Sequence, residues 1–303
     1  MSVDPSGSQL FEIERLLPDE LIMASGKRLV GFDARYDRIR RDLHLLSAPE
    51  EVRAWSRRLY GRELPLCEIV ADRYPLLIFI GDVGTGKTVT AEAASDRLAR
   101  ETGRVAMLFK LSTRVRGSGK VGQMSSLINE AFAIITKEAG KAKSAFLIID
   151  EADSLSAARD GGQSHHEDKV AVNTIIQKVD DLRRLGGRVL VILCTNRGHA
   201  LDPAVVRRAA RIERFARPDA AEREQMIRMD YEGLALSDTS IRDLVEITGP
   251  QEQPKRIGFT FSDLRVRLLP EALGLAFPDR KLTAAELLKA AQSLDPSPAV
   301  EGA

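Results

Sequence analysis

The chain has few cysteines, few aromatic residues and almost no excess of charge. Its 303 residues include two cysteines, and aromatic side chains make up 5% of the composition. Cys67 and Cys194 lie far apart and in no C-x-x-C spacing, so neither a disulfide scaffold nor a structural zinc site is expected. Cys194 lies in the apolar run VLVILC, which is typical of a small buried residue.

The balance of charge and the lack of long apolar runs exclude further classes of protein. There are 45 Lys and Arg side chains against 44 Asp and Glu, and the formal net charge is +1. This balance does not support a protein that coats nucleic acid or binds membranes through a polybasic surface. No apolar run approaches the ~20 residues that cross a bilayer, and the acidic N-terminal stretch contains no apolar core of a secretion signal. We therefore expect a cytoplasmic protein with no membrane or nucleic-acid partner.

Near-continuous apolar runs alternate with amphipathic helical patterns over most of the chain. Such runs are typical of parallel strands covered on both faces, and they lie at 76–80, 105–109, 145–150, 189–194 and 212–216. One intervening helical segment carries a stripe of apolar side chains at spacings of three and four, formed by Val172, Ile175, Ile176, Val179 and Leu182. The alternation predicts an α/β domain with a parallel sheet and three layers.

The strand pattern stops near residue 217 and helical patterns continue. Asp219 and Thr283 are each followed three residues later by glutamate, which marks a helix start. Pro270 predicts a kink or a restart in the helical segment around it. We therefore expect an N-terminal segment plus α/β domain at 1–217, a small helical lid domain at 218–295 and a flexible tail at 296–303.

Two stretches contain Gly-x-Gly-Lys, and one of them meets every requirement of a phosphate-binding loop. GDVGTGKT, at 81–88, has the Gly-x4-Gly-Lys-Thr pattern between a strand and a helix. In such a loop, backbone N–H groups surround phosphate oxygens, the lysine reaches the β- and γ-phosphates and the hydroxyl holds Mg²⁺. TRVRGSGKVG, at 113–122, has arginine in place of the first glycine and valine after the lysine, so it is not such a loop. The predicted nucleotide contacts are Gly81, Val83, Gly84, Thr85, Gly86, Lys87, Thr88 and Val89, with Thr88 also a magnesium ligand.

Two further strands end in polar residues suited to ATP hydrolysis. FLIIDEAD contains Asp150, which would hold Mg²⁺, and Glu151, which would polarise the attacking water as general base. VILCTN ends in Asn196, which can hold that water against the γ-phosphate. The next segment, LDPAVVRRAARIER, carries arginines suited to stabilising transition-state charge at a neighbouring subunit's ATP.

The order of these elements, followed by a helical lid, resembles AAA+ ATPases over roughly residues 30 to 290. The resemblance implies ATP and Mg²⁺ as cofactors, and a homo-hexameric ring that grips a polypeptide in its central pore. It identifies LVGFDARYDRIRRDL as the leading helix, with Phe32 contacting adenine. It also makes 113–122 the pore loop, with Val115 as the gripping side chain between Arg114 and Arg116, and with glycines such as Gly117 giving mobility.

Several blocks resemble one branch of that superfamily, the HORMA-remodelling ATPases of the pachytene-checkpoint or thyroid-receptor-interactor-thirteen family. They include IIDEADSLSAARDGG, AVNTIIQKVDDL and FTFSDLRVRLLPEALGLAF. This family pulls on HORMA-domain proteins and converts their closed, partner-bound form to the open form. The short segment before the first core strand resembles bacterial relatives that accompany HORMA proteins and cyclic-oligonucleotide synthases in antiphage signalling. The resemblance implies a protein that dismantles the complex of HORMA protein and nucleotidyltransferase and switches second-messenger synthesis off.

The resemblance also implies two functional arginines whose positions the sequence leaves open. The finger that acts on a neighbouring subunit maps best onto Arg208, with Arg207 and Arg211 close by. The sensor arginine of the lid falls on Arg265 with a shift of one residue, and Arg267 is the rival.

Two other functions compete with protein remodelling. A DNA-directed AAA+ ATPase, similar to a clamp loader or an initiator, needs a coherent basic surface or an appended DNA-binding motif, and the near-neutral charge argues against it. A nucleotide switch that barely turns over is the second alternative, and the intact pair of Asp150 and Glu151 argues against it.

Overall fold

The computed structural model describes residues 10–112, 123–140, 143–151, 164–252 and 256–300. Six strands in these ranges form one sheet: β1 (Phe11–Leu17), β2 (Leu76–Gly81), β3 (Ala106–Leu111), β4 (Ser144–Ile149), β5 (Val189–Thr195) and β6 (Arg211–Phe215). The order across the sheet is β1-β3-β4-β5-β2-β6. Strands β2 to β6 pair in parallel, and β1 pairs antiparallel with β3 at the edge. The five expected strands are confirmed.

Strand β1 was not anticipated from the sequence. Its Phe11 is buried and packs against Phe109 of β3, with ring centroids 4.9 Å apart. The alternation of Phe11 and Ile13 with glutamates is the period-two signal of an edge strand.

Helices cover both faces of the sheet. They are α1 (Glu20–Lys27), α2 (Phe32–Ser47), α3 (Pro49–Tyr60), α4 (Leu66–Ala71), α5 (Lys87–Thr102), α6 (Gln123–Ala139), α7 (Ser164–Leu182) and α8 (Pro203–Val206). The apolar stripe expected in α7 packs into the core beneath α6, with Val179 and Leu182 almost fully buried. The opposite core lies beneath α1, α2 and α5. The three-layer α/β architecture is confirmed.

Alternate residues of the central strands enter the two cores. In β2, Leu76, Ile78 and Ile80 belong to the core beneath α6 and α7, whereas Leu77 and Phe79 belong to the opposite core. Every residue of β2 and β5 is buried because both strands are covered on both faces. Cys194 of β5 is fully buried, and burial raises the pKa of its thiol. This agrees with the interpretation of Cys194 as a packing residue.

The C-terminal part is helical, with α9 (Ala220–Asp230), α10 (Asp238–Ile247), α11 (Leu269–Ala276) and α12 (Ala284–Ser293). Both predicted helix starts form capping boxes, at Asp219 before α9 and at Thr283 before α12. A π-helical stretch, Asp263–Leu268, runs directly into α11, whose first turn contains Pro270. At this proline, where the sequence predicts a kink or a restart, the chain stays helical and changes from π-helical to α-helical geometry.

The lid has its own apolar core, which includes one residue from the N-terminal part of the chain. Val30, in the turn before α2, is 3% exposed and packs in this core with residues such as Met226 and Leu264. We keep 217/218 as the proposed boundary between the domains along the chain.

The expected tail is described as far as residue 300. Within it, Ser297 and Val300 are hydrogen-bonded to Asp263 and Asp82, so this segment lies against the molecule and differs from the free tail that we expected. No described helix is long and apolar enough to cross a membrane.

Candidate nucleotide-binding site

A cleft of about 340 Å³ lies between the sheet domain and the lid. The carboxyl ends of β4, β5 and β2 meet here because these strands are neighbours in the sheet. The residues that line the cleft are Leu29, Val30, Arg35, 83–89, Asp150, Glu151, Asn196, Phe261, Ser262, Arg265 and Val266. The fold therefore brings the predicted loop, the acidic pair and the asparagine into one cleft.

The loop at 81–88 has the backbone conformation that its glycines permit. Gly84 and Gly86 have φ of 77° and 89°, which is the left-handed region that favours glycine. At Gly81 the constraint is space, because a Cβ there would lie 2.1 Å from the carbonyl oxygen of Phe215. Gly86 then leads directly into α5, so the N-terminus of that helix faces the cleft.

Lys87 joins the loop to the end of β5. Its ammonium donates to the carbonyl oxygens of Gly81 and Asp82, both at 2.8 Å, and to Asn196 Oδ1 at 2.7 Å. The residue is 6% exposed. A buried ammonium at the centre of the loop can neutralise the charge of phosphate groups.

A hydroxyl and a carboxylate meet where a divalent cation is expected. Thr88 Oγ1 donates to Asp150 Oδ2 at 2.7 Å, and the other carboxylate oxygen of Asp150 accepts from the N–H of Glu151 at 2.9 Å. Oxygen ligands of these two types are the ones that Mg²⁺ prefers. The donor set therefore fits Mg²⁺ held between loop and strand.

Glu151 has an uncommon backbone conformation. Its φ of 48° is the one positive value among described residues other than glycine, and such a conformation costs a side-chain-bearing residue about 1–3 kcal/mol. The residue is exposed and lines the cleft next to Asp150. A carboxylate in this position is placed to reach a water molecule at the phosphate end of the cleft.

Two charged residues near Asp150 were missed in the sequence. Lys110, at the end of β3, has its ammonium 4.0 Å from Asp150 Oδ2 and 3.5 Å from Glu12 Oε2. Glu92 of α5 lies nearby, where burial and the neighbouring Asp150 raise the pKa of its carboxyl in spite of Lys110. For Lys110, the signal in the sequence is a lysine that interrupts an apolar strand three residues before the expected pore loop.

The lid contributes one of the two candidate sensor arginines to the cleft. Arg265 lines the cleft, pairs with Asp230 at 2.5 Å and donates to the carbonyl oxygen of Arg28 at 2.7 Å. Arg267 pairs instead with Asp263 at 3.0 Å and is not among the lining residues. The geometry favours Arg265.

Phe32 lies beside the cleft and does not line it. Its ring packs against Tyr36 with centroids 5.8 Å apart, and the Arg97 guanidinium lies over it at 5.7 Å. The apolar residues that line the cleft from this turn are Leu29 and Val30. Adenine contact by Phe32 therefore stays a prediction.

The three candidate finger arginines have different surroundings. Arg208 forms a bidentate ion pair with Asp180, in which its Nε and Nη2 donate to the two carboxylate oxygens at 2.6 and 2.9 Å. Arg211 pairs with Asp42 and Glu213. Arg207 is exposed, and no described residue forms a hydrogen bond or an ion pair with its side chain. None of the three lines the cleft of its own chain.

The predicted pore loop at 113–122, with Arg114, Val115, Arg116 and Gly117, lies outside the described residues. In the described part of the chain, β3 ends at Leu111 before this segment and α6 begins at Gln123 after it.

Comparison with known proteins agrees with the fold. The model of the family "ATPase family associated with various cellular activities (AAA)" matches residues 77–217. A CD-NTase-associated protein 6 from Escherichia coli strain KTE188 is 49% identical over 97% of this chain and 98% of its own length. The chain therefore belongs to the AAA ATPase family.

Two solved structures specify the branch. A chain of the E. coli MS115-1 HORMA:CdnC:Trip13 complex has a TM-score of 0.87 and 37% identity, over 98% of this chain and 100% of that chain. The Rhizobiales Trip13 structure has a TM-score of 0.71 and 34% identity, over 95% of this chain and 100% of that chain. The resemblance to the thyroid-receptor-interactor-thirteen branch is confirmed.

Proposed function

We propose that this chain hydrolyses ATP and uses the energy to remodel a HORMA-domain protein. The observation that carries the proposal is the meeting of Thr88 with Asp150 and of Lys87 with Asn196 in one cleft. Four residues from three different segments thus converge on the place where the terminal phosphate of a bound nucleotide is expected. Family membership supports the same activity.

The residues at the phosphate end of the cleft have separate tasks in this proposal. The N–H groups of the loop and the Lys87 ammonium hold the phosphates, and Thr88 and Asp150 hold Mg²⁺. Bound ATP and Mg²⁺ supply the phosphoanhydride bond and the neutralising charge. Glu151 accepts the proton of the attacking water, and Asn196 fixes that water in line with the terminal phosphate.

We infer that a neighbouring subunit supplies a further positive charge to the cleft. Candidate finger arginines are absent from its lining, and a charge supplied by a neighbouring subunit couples hydrolysis to assembly. We therefore infer a ring of identical subunits, with six as the expected number, in which the 203–208 region reaches the next cleft. Arg207 is the most accessible donor, whereas Arg208 has to release Asp180 first.

The client follows from the relatives. The solved relative from E. coli MS115-1 contains a HORMA protein and CdnC together with Trip13. We infer that this chain acts on a comparable complex of HORMA protein and nucleotidyltransferase, separates the two and thereby ends second-messenger synthesis in antiphage signalling. The 113–122 segment would contact the client.

The experiment that tests this function uses a HORMA–nucleotidyltransferase complex from the same genome. With wild-type protein, ATP and Mg²⁺, size-exclusion chromatography is expected to show free nucleotidyltransferase. Glu151→Gln, which keeps the nucleotide contacts, is expected to bind the complex without separating it. Lys87→Ala is the control that neither binds ATP nor separates the complex. Intact complex after wild-type turnover of ATP would rule out this client and leave the ATPase assignment standing.

A further inference from the structure

Asp82 is part of the phosphate loop, but its carboxylate points to the lid side and not into the cleft. It is the second residue of GDVGTGKT and is not among the lining residues. Its Oδ2 accepts from Arg217 Nε at 2.6 Å, and its Oδ1 accepts from the backbone N–H of Val300 at 2.8 Å. The side chain is 12% exposed, so these two donors compensate a largely desolvated charge.

Arg217 connects the loop to two other parts of the chain. It lies in the segment that joins β6 to α9, and its two remaining guanidinium nitrogens donate to Gly258 O at 2.7 Å and Ser297 O at 2.8 Å. One side chain thus touches the phosphate loop, the lid and the C-terminal segment. Its planar guanidinium group holds these three segments at defined distances from one another.

Ser297 attaches the same C-terminal segment to the lid. Its hydroxyl and its N–H donate to the two carboxylate oxygens of Asp263, at 2.5 and 3.1 Å. Asp263 is 1% exposed and begins the π-helical stretch that places Arg265 in the cleft. Burial alone would raise the pKa of Asp263, but hydrogen bonds from Ser297, Thr260 and Arg267 hold it below the usual range.

We propose that residues 296–300, which we name the C-terminal strap, are a positioning element of the nucleotide site. The strap joins two carboxylates across the domain boundary, the half-buried Asp82 in the phosphate loop and the buried Asp263 in the lid. Without the strap, the loop loses one of two partners at Asp82 and samples more conformations, so nucleotide binding has to order it again. The inference rests on the proposed nucleotide binding, and neither the family match nor the relatives assign this role.

The test compares two substitutions of one residue in the full chain. Val300→Pro removes the N–H that binds Asp82, whereas Val300→Ala keeps it and changes only the side chain. Titration with a fluorescent ADP analogue is expected to give a dissociation constant about threefold to tenfold higher for Val300→Pro than for Val300→Ala, which corresponds to the net contribution of one typical hydrogen bond. Equal dissociation constants would overturn the proposal.

A rescue experiment separates positioning from general stabilisation. Chains that end after Val300 keep the strap, and chains that end after Asp295 lack it. The first should bind the analogue like the full chain, and the second should bind it more weakly and recover when a synthetic peptide of residues 294–303 is added. If the shorter chain does not recover with the peptide, while Val300→Pro equals Val300→Ala, the strap has no positioning role.

The same titration distinguishes failure of the strap from failure of the proposed function. Wild-type protein that does not bind the analogue contradicts nucleotide binding itself, and the strap inference falls with it. Wild-type protein that binds, with Lys87→Ala that does not, establishes the site. In that case the ratio between the two Val300 variants decides on the strap alone.

Discussion

The Lys87 ammonium lies 2.7 Å from the side-chain oxygen of Asn196, a residue 109 positions further along the chain. The contact exists because β2 and β5 are parallel neighbours whose carboxyl ends lie side by side. In the proposed mechanism, it joins the group that neutralises phosphate charge to the group that holds the attacking water. The predictions below concern the residues around this pair.

Lys87→Ala is expected to lower ATP turnover by about a hundredfold or more, the usual effect of removing a charge that acts in the transition state. It also leaves Asn196 Oδ1 and two carbonyl oxygens without the donor that they have now. Phosphate release measures the effect. Lys289→Ala, which changes an exposed lysine of the lid, is the control and should retain wild-type turnover.

Glu151→Gln and Asp150→Asn are expected to fail in different ways. Glu151→Gln should bind ATP with wild-type affinity and lose turnover, because it removes the general base and none of the described contacts of Thr88 or Lys87. Asp150→Asn should need a much higher Mg²⁺ concentration for half-maximal turnover, since a charged ligand is lost. Equal magnesium dependence of wild-type and Asp150→Asn turnover would contradict the assigned ligand.

Arg207→Ala is expected to reduce turnover at least tenfold without lowering the melting temperature, because Arg207 has no described partner in its own chain. Arg208→Ala should lower the melting temperature as well, since it leaves Asp180 without its bidentate partner.

A mixture of Arg207→Ala and Glu151→Gln subunits tests whether the finger acts on a neighbouring subunit. Arg207→Ala subunits keep an intact Glu151, and Glu151→Gln subunits keep an intact finger, so a mixture should regain turnover that neither has alone. A mixture as inactive as its components would count against a finger supplied by a neighbour.

Arg265→Ala is expected to weaken ATP binding by about tenfold or more, as for a lost hydrogen bond to a charged group, because Arg265 lines the cleft. Arg267→Ala should have a smaller effect, transmitted through Asp263 and Ser297. Titration of both variants with the same fluorescent nucleotide gives the comparison. A larger loss for Arg267→Ala would reverse the assignment of the sensor arginine.

Gly84→Ala tests the contact between the phosphate loop and the lid. A Cβ at Gly84 would lie 2.5 Å from Ser262 Cβ and 2.8 Å from Thr260 Oγ1, so the lid would have to move. Gly103→Ala is the matched control, since Gly103 also has a positive φ but has open space around it. Both changes carry the left-handed backbone cost of about 1–2 kcal/mol, and Gly84→Ala alone should also weaken nucleotide binding. Similar nucleotide affinity in the two variants would contradict a tight contact between loop and lid.

The main features of the sheet domain could be predicted from the sequence because they depend on local patterns. Continuous apolar runs identified β2 to β6, and the glycine spacing identified the loop before α5. Both capping boxes of the lid follow from a residue and the glutamate three positions later. Each of these signals is contained within about eight residues.

The features that were missed depend on contacts between distant segments. Nothing in the sequence near Arg208 indicates Asp180 as its partner, so the finger could not be chosen among adjacent arginines. The choice between Arg265 and Arg267 depended on a π-helical stretch, whose altered turn shifts which side chain faces the cleft. The sequence of the strap is polar and contains proline, which predicts a free tail. Its two hydrogen-bonding partners, Asp263 and Asp82, lie far away in the chain and cannot be inferred from that local sequence.

The burial of Val30 in the core of the lid has a mechanical consequence. Besides the covalent linker before α9, the lid is attached to the sheet domain by the turn that contains Val30, where Arg265 also holds the carbonyl oxygen of Arg28, and by the strap between Asp263 and Asp82. The ion pair of Arg35 with Glu222 adds a contact from α2. A body held at one point can turn in any direction, whereas a body held at several points moves only when some of its contacts break. Rotation of the lid therefore requires at least one of these polar contacts to break.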